Sequence, residues 1–130
     1  MAQKIITQEI RKQLPELYGQ ESIKDPTVFM KLFTPWAGWT WLVTEASYDS
    51  EGKGPYDYTM FGFAYDAGYP EGAELGYLSL KELMDVKGPV GLRVERDMYF
   101  KPCLLSEAKQ RLHGLRRLEH TCHNMESPRL

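Results

Sequence analysis

Cysteine is scarce in this chain, with Cys103 and Cys122 the two in 130 residues, and the three histidines all fall at or after His113. A disulfide framework is therefore not what holds the fold, and a closed structural zinc site, which needs two ligand pairs, finds only one in the tail LEHTCHN. His120, Cys122 and His123 are the residues there that could hold a metal; a polar, frayed tail is the simpler account, and no metal is expected. The chain has neither a Walker-type GK[ST] nor a dinucleotide GxGxxG, so nucleotide cofactors have no loop to bind to and no cofactor is expected. No run approaches the roughly twenty apolar residues of a membrane span. The N-terminal MAQKIITQEIRKQ lacks the apolar stretch of a signal peptide, so a cytoplasmic protein with reduced thiols and no membrane partner is expected.

Aromatic residues are plentiful and concentrated. All three tryptophans, Trp36, Trp39 and Trp41, and most tyrosines lie between Trp36 and Tyr77, among regularly placed acids. The formal charge is only -2, yet Glu45, Asp49, Glu51, Asp57, Asp66, Glu71 and Glu74 face Lys53 as the one base in that stretch. From Ser106 onward the balance turns basic through Lys109, Arg111, Arg116, Arg117 and Arg129. An acidic middle repels phosphates and suits a basic protein partner, although solvation alone also accounts for surface acids.

Ile10, Leu14 and Leu17 recur at helical spacing, predicting a helix from Thr7 to Leu17 with a bend at Pro15. After the Asp25-Pro26 turn, VFMKLFT alternates as a strand, and a tight connection at Pro35–Gly38 leads into a second. In that second strand Trp39, Trp41, Val43 and Glu45 share one face, opposite Thr40, Leu42, Thr44 and Ala46. Residues 48–56 read as a flexible loop, and Tyr58–Tyr65 and Glu74–Leu78 as strands whose Gly62 and Gly76 mark close packing. Ser79-Leu80-Lys81-Glu82 matches a capping box and starts a short helix. Arg93–Lys101 reads as a last strand, and Leu105, Ala108, Leu112 and Leu115 as the apolar stripe of a C-terminal helix, with residues 119–130 a flexible end. These elements predict a single α+β domain: a twisted antiparallel sheet of about five strands, helices at both termini and a short helix after the fourth strand.

Four carboxylates on or near strands, Glu45, Glu74, Glu95 and Asp97, are the candidate catalytic residues. Such groups serve as acid and base when one is desolvated, or hold a divalent cation together; paired with Lys31, Arg93 or Arg96 they are structural instead, which is the simpler reading. Lys31, Trp39, Trp41, Tyr65, Tyr77 and Arg96 are the candidate binding residues. A base-stacking sheet interleaves its aromatics with Lys and Arg, whereas here acids intervene, so core packing accounts better for most of the rings. Arg111, Arg116 and Arg117 offer a second, less favoured route to nucleic acid along the last helix. Cys103 or Cys122 would need a fixed histidine to act as a nucleophile.

The succession DPTVFMKLFTP, WTWLVTE, FGFAYD, ELGYLSLKEL and GPVGLRVERDMYFKP resembles the small bacterial proteins grouped as domain of unknown function 2958, from Asp25 to Phe100. The resemblance implies one compact domain often carried on plasmids, phages and integrated elements, and no known activity. It draws attention to Asp25, Lys31, Trp41, Glu45, Glu74, Tyr77, Glu95, Arg96 and Asp97. The leading expectation is a non-enzymatic interaction protein of a mobile element, engaging a protein partner through its acidic and aromatic surface. The alternative is a small hydrolase with Glu45, Glu74 and Asp97 as acid, base or metal ligands and Lys31 as electrostatic anchor.

Overall fold

In the computed structural model residues 5–49 and 56–122 are described, with side chains to His113 in the last helix. Most of the 48–56 loop and the tail from 123 onward lie outside these residues. The fold is arranged around β3, Trp39–Tyr48, which is buried without interruption from Thr40 to Ala46. Its tryptophans, valine and threonines suit a strand packed on both sides. The neighbours β2 (Met30–Phe33) and β4 (Tyr58–Asp66) pair with it antiparallel. Beyond them lie β5 (Glu74–Ser79) and β6 (Glu95–Arg96), giving a five-stranded sheet in the order β5-β4-β3-β2-β6. A separate ribbon joins β1 (Thr27–Val28) to β7 (Cys103–Leu104). With the helices α1 (Gln8–Gln13), α2 (Leu80–Asp85) and α3 (Leu105–Cys122), this is the α+β architecture that the sequence predicts.

Each sheet face carries its own core. On the first face Met30, Leu32, Trp41, Val43 and Met60 meet Ile5 and Ile6 from the N-terminal segment, Leu80 and Met84 from α2, and Val94. On the second, Leu42, Phe63 and Tyr65 meet Leu105, Ala108 and Leu112, the predicted apolar stripe of α3. Ser79 Oγ accepts from Glu82 N at 3.2 Å, so α2 starts where the capping box places it.

Three boundaries differ from the expected ones, each for a local reason. The first helix ends at Gln13, because Leu14 precedes Pro15 and takes an extended conformation (ψ 122°) that terminates the helix rather than bending it. The first predicted strand divides between β1 and β2 as the chain passes from the ribbon to the sheet. The last shrinks to Glu95–Arg96, since Asp97 Oδ1 accepts from Tyr99 N at 2.9 Å and turns the chain away. The two strand glycines also part company. A Cβ on Gly62 would stand 2.2 Å from Leu42 O, whereas one on Gly76 would meet nothing within 4 Å.

Gly62→Ala therefore forces the β3–β4 pairing apart at its centre, and the variant should lose at least about 1–3 kcal/mol of unfolding free energy in a denaturant titration. Wild-type stability in that variant would contradict the close approach of the two strands.

Candidate functional site

The β3–β4 register slips between Val43 and Glu45: Val43 faces Gly62 and Glu45 faces Phe61, with Thr44 as the extra residue. This bulge corrects the expected alternation. It leaves Val43 and Ala46 on the first face and moves Glu45 to the second, beside Phe61. Glu45 is only 5% exposed and spends its carboxylate on the backbone. Oε1 accepts from Tyr18 N at 2.8 Å and Oε2 from Gln20 N at 2.9 Å. Tyr18 sits at a left-handed φ of 72°, a strained position for a non-glycine residue that the carboxylate helps to hold. Gln20 is buried as well. Its Nε2 donates to Thr27 O at 2.9 Å and Thr44 O at 2.8 Å, and its Oε1 accepts from Thr27 N at 2.8 Å.

The ordered turn walls a cleft of about 490 Å³ between β5 and α3, floored by Thr44, Glu45 and Phe61. At its mouth stand Tyr18, Ile23, Leu75 and Tyr77, between 45% and 60% exposed. Tyr77 donates its hydroxyl to that of Tyr18 at 3.2 Å, and its ring meets Phe61 edge to face at 5.2 Å. That hydrogen bond, desolvation and the fields of Tyr18, Glu21 and Glu45 hold the Tyr77 hydroxyl above its ordinary pKa, so Tyr77 stays protonated at neutral pH. On the far wall Asp25 caps α3: Ser106 N donates to Oδ1 at 3.0 Å and Ser106 Oγ to Oδ2 at 2.7 Å. These two bonds and the charge of Lys109 lower the Asp25 pKa.

The remaining candidates lie elsewhere. Glu74 sits opposite Ala64, on the first face and at the β5 edge, so the sheet separates it from Glu45. Glu95 and Arg96, opposite Phe33 and Leu32, are on the other edge strand, four strand spacings or about 19 Å from β5. Asp97 follows them and reaches Lys31 at 3.8 Å, both side chains about a quarter exposed, a pair that contributes about 1 kcal/mol at most. Lys31 and Asp97 share a shallow groove of about 430 Å³ with Trp39 and Tyr65. Trp39 stacks on Trp41 at 5.8 Å, and the buried Tyr65 meets the His113 ring edge to face. Arg93, a proposed counter-charge, donates instead to the last turn of α2 at Met84 O, 2.7 Å away.

Among the described residues no group of three His, Cys, Asp or Glu comes together in a way that could hold a metal. The side chains of Arg116, Arg117, His120, Cys122 and His123 lie outside them. Arg111 is paired with Glu107. Burial pushes the Cys103 thiol up, the opposite of what an activated nucleophile needs. No described helix is long and apolar enough to cross a membrane.

A family model described as protein of unknown function (DUF2958) matches residues 5–120. The chain belongs to this family. No curated protein and no solved structure matches it. The match takes in both sheet faces, the Glu45 bulge and the whole cleft, so these belong to the DUF2958 domain and not to an addition particular to this chain.

Two residues that organise the DUF2958 cleft here, Tyr18 and Gln20, escape a reading of the sequence. Nothing in LYGQESIKDP separates a glutamine that binds three backbone groups from one that faces water, and Gly19 alone signals the turn. The one available symptom is Glu45, an acid in phase with Trp41 and Val43.

Removing the carboxylate leaves two backbone donors orphaned, at about 1–3 kcal/mol each, so Glu45→Ala should destabilise by several kcal/mol while Glu74→Ala stays near wild type. Equal costs at the two positions would contradict the division of roles between them. Asp25 adds a pH signature. Its folded pKa is depressed, so its contribution is complete above the unfolded carboxylate range and is lost as the pH falls through the lower folded value. The stability difference between wild type and Asp25→Asn should be flat at neutral pH and shrink on acidification; a difference that grows toward low pH would contradict the cap.

Proposed function

We propose that this chain is a non-enzymatic module that binds a protein partner at the cleft between β5 and α3. The observation that carries the reading is the mouth of that cleft. Tyr18, Ile23, Leu75 and Tyr77 stand half exposed around one hollow, at apolar cost to the free chain, over a floor that Glu45 and Gln20 hold rigid. Rigid aromatic side chains beside a preorganised floor are what anchor a protein interface. The charges suit a segment bearing an apolar anchor beside a Lys or Arg, because the fields of Glu21 and Glu45 meet at the Tyr77 hydroxyl. Of the two lysines lining the cleft, Lys109 is turned over the Phe63 ring at 4.4 Å. A role in the cytoplasm on a mobile genetic element completes the proposal, the latter on the family resemblance alone.

The hydrolase alternative asks Glu45, Glu74 and Asp97 to act on one substrate. Glu45 and Glu74 stand on opposite faces of the sheet, and Glu45 is occupied by two backbone amides, which favours the binding reading over it.

A photo-crosslinking amino acid at Ile23, compared with one at Val90 as an exposed control, tests the proposal in lysate. A single nuclease-resistant protein adduct from position 23 alone, lost when Tyr18 and Tyr77 are both changed to Ala, is the expected result. Adducts formed equally from both positions, adducts removed by nuclease, or a product composed only of this chain would each overturn it.

A further inference from the structure

The five-stranded sheet ends in two edges of different construction. The β6 edge is two residues long, is built of Glu95 and Arg96, and is closed off by the turn at Asp97. Short length, charge and an abrupt turn are ordinary guards against edge-to-edge pairing. The β5 edge has none of these. It runs six residues, ELGYLS, pairs with β4 in unbroken register, and contains no proline or lysine; its one charge, Glu74, stands at the first position. Among the described residues no element pairs with its outer side. Leu75 and Tyr77 project from it half exposed, and Gly76 between them has open space where a side chain would be.

We propose that the β5 edge pairs with the β5 edge of a second copy of this chain, antiparallel about a two-fold axis through Gly76, joining two five-stranded sheets into one. The sequence of the strand is complementary to itself in that register. Leu75 falls opposite the partner's Tyr77 and Tyr77 opposite the partner's Leu75, so the apolar side chains meet across the strands on the second face. Glu74 falls opposite the partner's Leu78, and the two Glu74 carboxylates lie at opposite ends of the pairing, about 13 Å apart. A parallel pairing in register would instead set them side by side.

Backbone polarity fits equally well. Alternate residues of an edge strand direct N–H and C=O outward, and this register pairs odd with odd and even with even positions. Whichever set of β5 points away from β4 therefore meets the same set of its partner. A two-fold contact is also closed: each copy uses the unguarded edge of its five-stranded sheet, so that the same edge is not left for a third. The inference stands independently of the partner reading, but it has a consequence for it, because Leu75 and Tyr77 also rim the cleft and the axis would set two clefts side by side.

The full-length chain, examined by sedimentation over a concentration series reaching the high micromolar range, should approach twice its 15.0 kDa mass. Leu75→Lys with Tyr77→Lys should return it to the monomer with an unchanged circular dichroism spectrum, while Val90→Lys leaves the dimer intact. The register is read separately. With Cys103 and Cys122 replaced by Ser, Gly76→Cys should form an intermolecular disulfide on mild oxidation and Glu74→Cys should not. A monomer at every concentration, a dimer indifferent to the paired lysines, or crosslinking at position 74 in preference to 76 would each overturn the proposal.

Discussion

The bulge at Thr44 and the carboxylate that it delivers govern the second face of this protein. Without the extra residue, Glu45 would enter the first core beside Trp41 and Val43, where an ionised acid has no compensation. With it, the carboxylate meets the amides of Tyr18 and Gln20, two strong acceptor contacts with backbone groups that otherwise have no partner in a strand or helix. Thr44 contributes from the same point: its Oγ1 donates to Phe61 O at 3.1 Å, bridging the gap that the register slip opens. The irregularity is therefore satisfied from both sides and acts as a fixed part of the design.

From that anchor the N-terminal segment acquires a purpose beyond covering a core. β2 accompanies β3 only as far as Val43, which would leave the end of the longest strand unpartnered on that side. Residues 15–20 take its place, with Ala46 N donating to Pro15 O at 3.0 Å and Leu17 N to Ser47 Oγ at 2.9 Å. Gln20 then ties this stretch to Thr27 and Thr44, so that β1, β3 and the turn are held by one amide. Asp25, a few residues on, caps α3 and fixes the far wall. One continuous segment, from Pro15 to Pro26, thus frames the cleft by hydrogen bonding to elements that are distant in sequence.

How much of this is legible beforehand follows from which forces are local. The capping box at Ser79, the stripe of Leu105, Ala108 and Leu112 and the hairpin around Pro35–Gly38 depend on neighbours within a few residues, and each is readable. The end of α1 was equally local, since Leu14 precedes a proline, yet the helical spacing of Leu17 masked it. The bulge is different in kind. Apart from an acid in phase with Trp41 and Val43, nothing in WTWLVTE marks it, and only pairing with β4 shows that Glu45 changes side. The four carboxylates look alike in the sequence for the same reason: whether two of them share a face and a neighbourhood depends on strand order and register, which no single strand encodes.

The sheet's asymmetry follows from the same logic. Along β6 the acids and arginines that resemble a catalytic cluster end a strand and guard an edge, with Asp97 divided between Lys31 and the amide of Tyr99. Along β5, where the sequence is plain, apolar side chains stand half exposed and, among the described residues, no element pairs with the outer side of the strand. The polar side chains around the cleft, Glu45, Gln20 and Asp25, are taken up by hydrogen bonds within the fold, while aromatic and aliphatic side chains stand half exposed at its mouth. A search guided by charged residues leads to Glu45 and Asp25, whose carboxylates are bonded within the fold; Glu45 holds the amide of Tyr18, and Tyr18 in turn meets Tyr77. The residues that attract attention in the sequence and those that stand half exposed at the cleft mouth are different residues, joined by hydrogen bonds.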